Sequence, residues 1–261
     1  MRLTSLGLAT DVALRVLEGA QLTDCGGYLV VRSPDNPDFW WGNFLILPDP
    51  PEPGSAVTWL ARFGAEFPAA RHVTLAVDSP GPGPSVPPDF PAAGLAPERA
   101  TVLTAASLTP PPRPNRQAEI RPLESSADWQ ASLDLAMRCF GPQEAGEYLA
   151  RRNAARRRLT RAGDGAWFGA FDAGRLQAQL GVCDAGGGRA RYQDVETDPA
   201  ARRQGLAGTL VWRAGLWAQQ ALGATTLVIV ADPAEGAIRV YRSAGFADTE
   251  SVLSFARPPA G

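Results

Sequence analysis

One stretch of this 261-residue chain places residue types that can grip an anion. In VETDPAARRQGLAGTLV, Val195 to Val211, a strand-like segment is stopped by Pro199 and a helix-like segment follows. Between them Arg202, Gly205 and Ala207 stand at the spacing R-x-x-G-x-A. The first turn of a helix leaves backbone N–H groups without intrahelical partners, and the positive end of the helix dipole lies there. The spacing predicts that the N–H groups of Arg203, Gln204, Gly205, Leu206, Ala207 and Gly208 converge on a pyrophosphate, in a binding stretch running from Arg202 to Thr209. Glycine at 205 lets the backbone approach without a Cβ, and the small Ala207 keeps the ligand close. Taken alone, the same residues also fit an ordinary helix start with a solvated arginine pair.

Two carboxylates precede this loop. On a regular strand Asp194 and Glu196 share a face, with Tyr192 on the same one. A second block, ADPAEGAIRVYRSAGF (Ala231 to Phe246), carries Ala237, Val240, Tyr241, Gly245 and Phe246 in the pattern A-x-x-V-Y-x-x-x-G-F. The two blocks, in this order and on these elements, resemble the acetyl-CoA motifs of the GCN5-related N-acetyltransferase (GNAT) family. The resemblance covers roughly Gln117 to Pro259.

That resemblance implies a mixed α/β (α+β) acyl-CoA transferase fold. It implies acetyl-CoA as cosubstrate, no metal, and direct transfer of an acetyl group to an amine, in a gap where two parallel strands splay apart. Backbone N–H groups of Glu196 and Thr197 are then the candidates to polarise the acyl carbonyl. Tyr241 matches the position that protonates the departing thiolate, and a phenol of ordinary pKa near 10 is a competent donor. The alternative for Tyr241 is a core aromatic with its hydroxyl at the rim. Glu196 and Asp194 are the candidate bases, Glu196 favoured because it lies nearer the loop. The alternative for both is a sheet-face carboxylate in a salt bridge. The chain departs from the family at Ala234, where many members have an asparagine near the pantetheine arm, and Asp232 is the available substitute.

These residues need a scaffold, and the hydrophobic pattern predicts one. AEIRPL reads as a strand, SADWQASLDLAMRCF and GEYLARRNAARRRLTRAG as helices, and AWFGAFDAGRLQAQLGVCDAG as two strands about a turn at Asp172-Ala173-Gly174. RARYQDVETDP is a strand, GLAGTLVWRAGLWAQQALG a helix, TTLVIVAD a buried strand, AEGAIRVYRSAGF a helix ended by Gly245, and SVLSFARP the closing strand. The order is β-α-α-β-β-β-α-β-α-β.

LTPPPRPNRQ, with four prolines, admits neither helix nor central strand, so it divides the chain. The resulting domains are 1–109, a linker at 110–116, and 117–261. The first half repeats part of the same rhythm. Helix TDVALRVLEGAQL precedes strands GGYLVVRS and DFWWGNFLIL, then come helix AVTWLARFGAEF and strand HVTLAVD. On a strand, Phe39 and Trp41 would face one side and Trp40 the other, as packing residues. SPGPGPSVPPDFP reads as a surface loop. Its equivalent of the anion loop, DPPEPGSA, keeps Gly54 and Ala56, but Pro48, Pro50, Pro51 and Pro53 delete N–H donors and Asp49 and Glu52 repel anions. The first half is therefore expected to be a degenerate GNAT-like domain that binds no CoA, as in tandem chains with one silent half.

Composition excludes several classes. Formal net charge is −2, so no global field draws nucleic acid or an anionic membrane. Three scattered cysteines and a single histidine, His72, make neither a zinc site nor a disulfide framework. Cys183 and His72 read as structural. No apolar run is long enough to span a bilayer, and a cytoplasmic protein, monomer or homodimer, is expected. Arg151, Arg152, Arg156, Arg157, Arg158 and Arg161 make one helix strongly basic. Its readings are a solvated face or a contact to an acidic acceptor, nucleic acid or the CoA 3′-phosphate. The functional expectation is an N-acetyltransferase using a small-molecule or peptide amine. A non-catalytic acyl-CoA-binding module and an acidic-partner binder using the arginine helix are the alternatives.

Overall fold

A computed structural model describes residues 1–81, 83, 85–140 and 147–259, with the side chain of residue 140 outside that set. The expected loop at Ser79–Pro91 therefore lies partly outside the described residues, as does Gly146 at the start of the basic helix. The chain forms two compact units, Met1–Val102 with Thr249–Gly261, and Leu103–Asp248.

The first unit holds α1 (Leu6–Leu17), β1 (Gln21–Asp24), β2 (Leu29–Arg32), β3 (Phe44–Leu47), α2 (Ala56–Glu66), β4 (Val73–Val77) and the short α3 (Asp89–Ala92). Strand β5 (Ala96–Ala105) leads the chain into the second unit. There the elements are β6 (Glu119–Pro122), α4 (Ser126–Phe140), α5 (Glu147–Ala162), β7 (Gly165–Asp172), β8 (Arg175–Asp184), β9 (Arg189–Thr197), α6 (Leu206–Ala221), β10 (Thr226–Ala231) and α7 (Ala237–Ser243). Strand β11 (Ala247–Arg257) ends the order, which is the mixed α/β sequence of elements expected.

In the second unit the strands run β10-β9-β8-β7-β6. β9 and β10 are parallel and the rest antiparallel. Ala173 and Gly174 both adopt positive φ, as a two-residue hairpin turn requires. Alternation along the strands separates two faces. Phe168, Ala170, Leu180, Val182 and Tyr192 pack into one cluster with Leu206, Leu210, Val211 and Ala214 of α6. Trp167 and Gln179 point the other way, Trp167 against Trp129 of α4 and under the Arg156 guanidinium of α5, and Gln179 onto the Ser132 carbonyl of α4.

The first unit differs from expectation at several elements. PDFWWGNFLIL is not one strand. Trp40–Gly42 is a 3-10 turn and only Phe44–Leu47 extends. Asn43 makes the difference: its Nδ2 donates to the Asn36 and Phe39 carbonyls and its Oδ1 accepts from Ser33 N–H, so side-chain bonds hold the segment folded. Strands β1 and β5 have no counterpart in the sequence reading. β11, read as closing the C-terminal half, pairs antiparallel with β4 of the first unit from Leu253↔Val77 to Arg257↔Val73.

β11 also buries Leu253 and Phe255 in the first unit's core, and Phe255 stacks on Phe90 at 4.4 Å between ring centroids. Glu250 on the same strand accepts from the N–H groups of Leu6 and Gly7, capping α1. Phe255→Ala is expected to cost about 3–5 kcal/mol, because the fully buried ring leaves a cavity. Urea denaturation checks this, and a loss below about 1 kcal/mol would show that the strand is peripheral to that core.

Candidate active site

The site starts from one irregularity in β9. Gln179 of β8 faces Glu196, and Gly181 faces Gln193, so Asp194 and Val195 together stand opposite Leu180 alone. This is a β-bulge, and Asp194 takes the positive φ of 48° that it needs. The bulge changes which side chains share a face. Tyr192 lies on the α6 side, its hydroxyl donating to the Val211 carbonyl at 2.8 Å. Asp194 and Glu196 lie on the α4–α5 side. The regular-strand expectation that put all three on one face is corrected by that extra residue.

Asp194 is clamped by Arg152, at 3.2 Å, and by Arg156, both from α5. The two arginines are buried at 7% and 2% exposure, so this part of the basic helix is interior rather than a solvated face. Arg151 pairs with Glu147 and Arg157 donates to the Ser126 hydroxyl. Glu196 is 8% exposed. Gln179 Nε2 donates to its Oε2 at 2.6 Å and to the Ser132 carbonyl, while Glu196 Oε1 has no partner. Burial, then the Asp194 charge, pushes the Glu196 carboxyl up to about 7 against the pull of Arg156, Gln179 and Arg152. A group so placed exchanges a proton near neutral pH.

Ahead of the bulge, β9 and β10 part. Their ladder joins Arg189–Arg191 to Thr226–Val228, although both strands continue, to Thr197 and Ala231. A cleft of about 520 Å³ opens there. One wall is Val195, Glu196 and Thr197, with Cys139 of α4 beside them. A second is Ala201, Arg202, Arg203 and Gly205 to Gly208. The third is Glu235, Gly236, Ala237, Val240 and Tyr241. Gly205 precedes α6 in the left-handed region, at φ 78°, and supplies no side-chain cap. The first-turn N–H groups of Leu206, Ala207 and Gly208 thus lie at the cleft with no side-chain acceptor from their cap, an arrangement suited to a polyanion. Two arginines add charge.

Residues 129–246 match the model of the Acetyltransferase (GNAT) family. The second unit carries a GNAT acetyltransferase domain. Solved structures are similar over nearly the whole chain. A GCN5-related N-acetyltransferase from Kribbella flavida is 19% identical, with 98% of each chain covered and a TM-score of 0.64. A functionally unknown conserved protein from Staphylococcus epidermidis is 12% identical over 93% of this chain and 95% of its own, at 0.68. A tandem GNAT protein from the clavulanic acid biosynthesis pathway is 14% identical over 98% of this chain and 95% of its own, at 0.55. At such identities the likeness is one of fold, and it extends a GNAT-like fold to the first half. No curated protein matches the sequence.

Within the GNAT domain the cleft gathers Glu196, Thr197, Arg202, Arg203, Gly205, Leu206, Ala207, Gly208 and Tyr241 from the residues the sequence singles out. Asp194, Gln204, Thr209 and Asp232 do not line it. Asp194 is spent on its arginines. The Gln204 carbonyl and the Thr209 hydroxyl accept hydrogen bonds from Asn115. Asp232 turns its carboxylate to Ala234 N–H in an Asx turn, and Glu235 lines the cleft instead. Gly205 serves a purpose other than close approach of the ligand: a Cβ there would meet the Arg113 carbonyl at 2.3 Å. Sequence reasoning missed Gln179 and Cys139, which reach the site from β8 and α4. Burial, then Glu196, pushes the Cys139 thiol up to about 11, so it forms a neutral wall. Among the described residues no group of three or more His, Cys, Asp or Glu could hold a metal ion, and no helix is long and apolar enough to cross a membrane.

The matching loop of the first unit is filled from within. At the start of α2, Ala56 N–H donates to the Asp89 carboxylate at 2.9 Å, and that bond holds Asp89 below the usual carboxylate range.

The raised Glu196 carboxyl links stability to pH. Below its ordinary value of 4.5 the folded and unfolded groups are both protonated, and folded-state stability is lost as pH rises from there through about 7. Glu196→Gln removes that loss, so the variant is expected to be more stable than wild type at pH 8 by something on the order of 3 kcal/mol, and to gain much less at pH 4. Denaturant unfolding at the two pH values checks this, and an equal difference at both would rule out a raised carboxyl.

Proposed function

We propose that this chain is an N-acetyltransferase that moves an acetyl group from acetyl-CoA to the amine of a small molecule or peptide. The observation that carries the reading is the meeting, in one cleft, of an uncapped helix N-terminus with a buried carboxylate whose Oε1 is unpartnered. Acetyl-CoA supplies an acetyl group activated as a thioester. Arg202, Arg203 and the N–H groups of Gly205 to Gly208 hold its diphosphate. Backbone N–H groups of Glu196 and Thr197, past the end of the β9–β10 ladder, polarise the carbonyl.

Glu196 receives the proton of the attacking amine at Oε1, directly or through one water. Its carboxyl near 7 leaves a large fraction ionised at neutral pH while keeping basicity. As the new N–C bond forms and the C–S bond breaks, Tyr241 donates its phenolic proton to the thiolate. Burial raises the Tyr241 phenol, so it stays protonated until that moment. Asp194 acts on Glu196 through its charge and not as a base, because Arg152 and Arg156 occupy it.

With an acceptor found by amine screening, Glu196→Gln is expected to lower kcat by about 10²–10⁴. Tyr241→Phe should lower it by roughly ten- to a thousandfold with acetyl-CoA affinity little changed. Wild-type turnover in either variant removes that residue from the mechanism, and CoA binding without transfer to any amine would favour a non-catalytic module. Calorimetry on the intact chain should find one CoA per chain, because Asp89 fills the matching loop of the first unit. Two equivalent sites would contradict that.

A further inference from the structure

The proline-rich segment between the two halves reads from sequence as a spacer. In the second unit it is docked. Gln219 donates to the Ala106 carbonyl and Thr109 N–H to the Ala244 carbonyl. Pro111 packs within 3.3 Å of the Cβ position of Gly208, and the Arg113 carbonyl lies against Gly205. Asn115 uses its backbone N–H and both ends of its side-chain amide. Its backbone N–H donates to Thr209 Oγ1 at 2.9 Å and its Nδ2 to the Gln204 carbonyl at 2.9 Å. Its Oδ1 accepts from the N–H groups of Gln117 and Ala118, which locks the side chain. Thr209 Oγ1 in turn donates to the Gly205 carbonyl at 2.9 Å.

We propose that this strap, through Asn115 and the Thr209 hydroxyl, aims the amides of the diphosphate loop. In a trans peptide the carbonyl and the next N–H point in opposite directions. Tying the Gln204 carbonyl to Asn115 turns the Gly205 N–H away from the strap. The Gly205 carbonyl accepts the Thr209 N–H at 3.1 Å, and the Thr209 hydroxyl, itself held by Asn115, adds a second bond that steadies this peptide with the Leu206 N–H pointing out of the helix start. Both Gly205 and Leu206 line the cleft, whereas Pro111 and Asn115 do not. The strap thereby supplies the rigidity that Gly205, with φ 78° and no Cβ, lacks by itself. Asn115 and Thr209 are positioning residues: they act on the anion through the backbone and do not touch it.

This inference rests on the proposed CoA cleft, and titration of the full chain with CoA separates the two. Asn115→Ala removes the tie to Gln204, and Thr209→Val removes the relay hydroxyl while keeping the branched side chain. Each is expected to weaken CoA at least fivefold, with KM for acetyl-CoA rising and kcat nearly unchanged. Thr209→Ser keeps the hydroxyl and should restore affinity to within about twofold. Thermal unfolding without CoA identifies a variant that has lost its fold, and the Thr209→Val and Thr209→Ser pair decides if Asn115→Ala has done so. Unchanged affinity in folded variants overturns the strap alone. A wild type that takes no CoA overturns the cleft reading and the strap with it.

Discussion

At Asp194 strand β9 holds one residue more than β8 opposite it, and the carboxylate at that point is gripped by two buried arginines from α5. The ion cluster and the bulge stabilise each other. Without the arginines a buried Asp194 would be an unpaired charge, and with them the left-handed backbone at 194 has a compensating partner. Everything downstream on β9 follows from that offset. Glu196 is turned to the cleft, while Tyr192, upstream of the offset, stays with the α6 core.

Glu196 illustrates how a fold tolerates an unfavourable charge beside a cleft. Its carboxylate is buried, has a second carboxylate nearby, and keeps one oxygen without a partner. Gln179 and the two arginines offset part of that penalty without abolishing it. The remainder appears as a carboxyl near 7, the property a base at neutral pH needs. Further positive charge would stabilise the folded state and lower that carboxyl.

The two halves show one loop design with opposite outcomes. In the first unit prolines and Asp89 close the helix start from inside. In the second, the helix start faces a cleft, and the proline-rich strap holds its far side. Proline thus serves two ends in one chain: it deletes donors in Pro48–Pro53 and stiffens a docked support in Pro110–Pro114.

The sequence by itself determined the order of elements from Glu119 onward, the hairpin at Ala173-Gly174, the loop and helix start after Arg202 and the place of Tyr241 on α7. These signals are local: hydrophobic period, turn glycines and the donors of a helix start act within a few residues. Tertiary structure alone decided the rest. Arg152 and Arg156 look like any surface arginines until α5 is laid over the bulge. Gln179 becomes a partner of Glu196 only through strand register, and Cys139 meets the cleft only because α4 ends there. The bulge itself has no proline or glycine to announce it. β11, far along the chain, pairs with β4 inside the first unit, and Asn115 finds Thr209 ninety-four residues away. Such pairings depend on which surfaces remain to be covered once the chain has folded, and a pattern read along one segment carries no record of them.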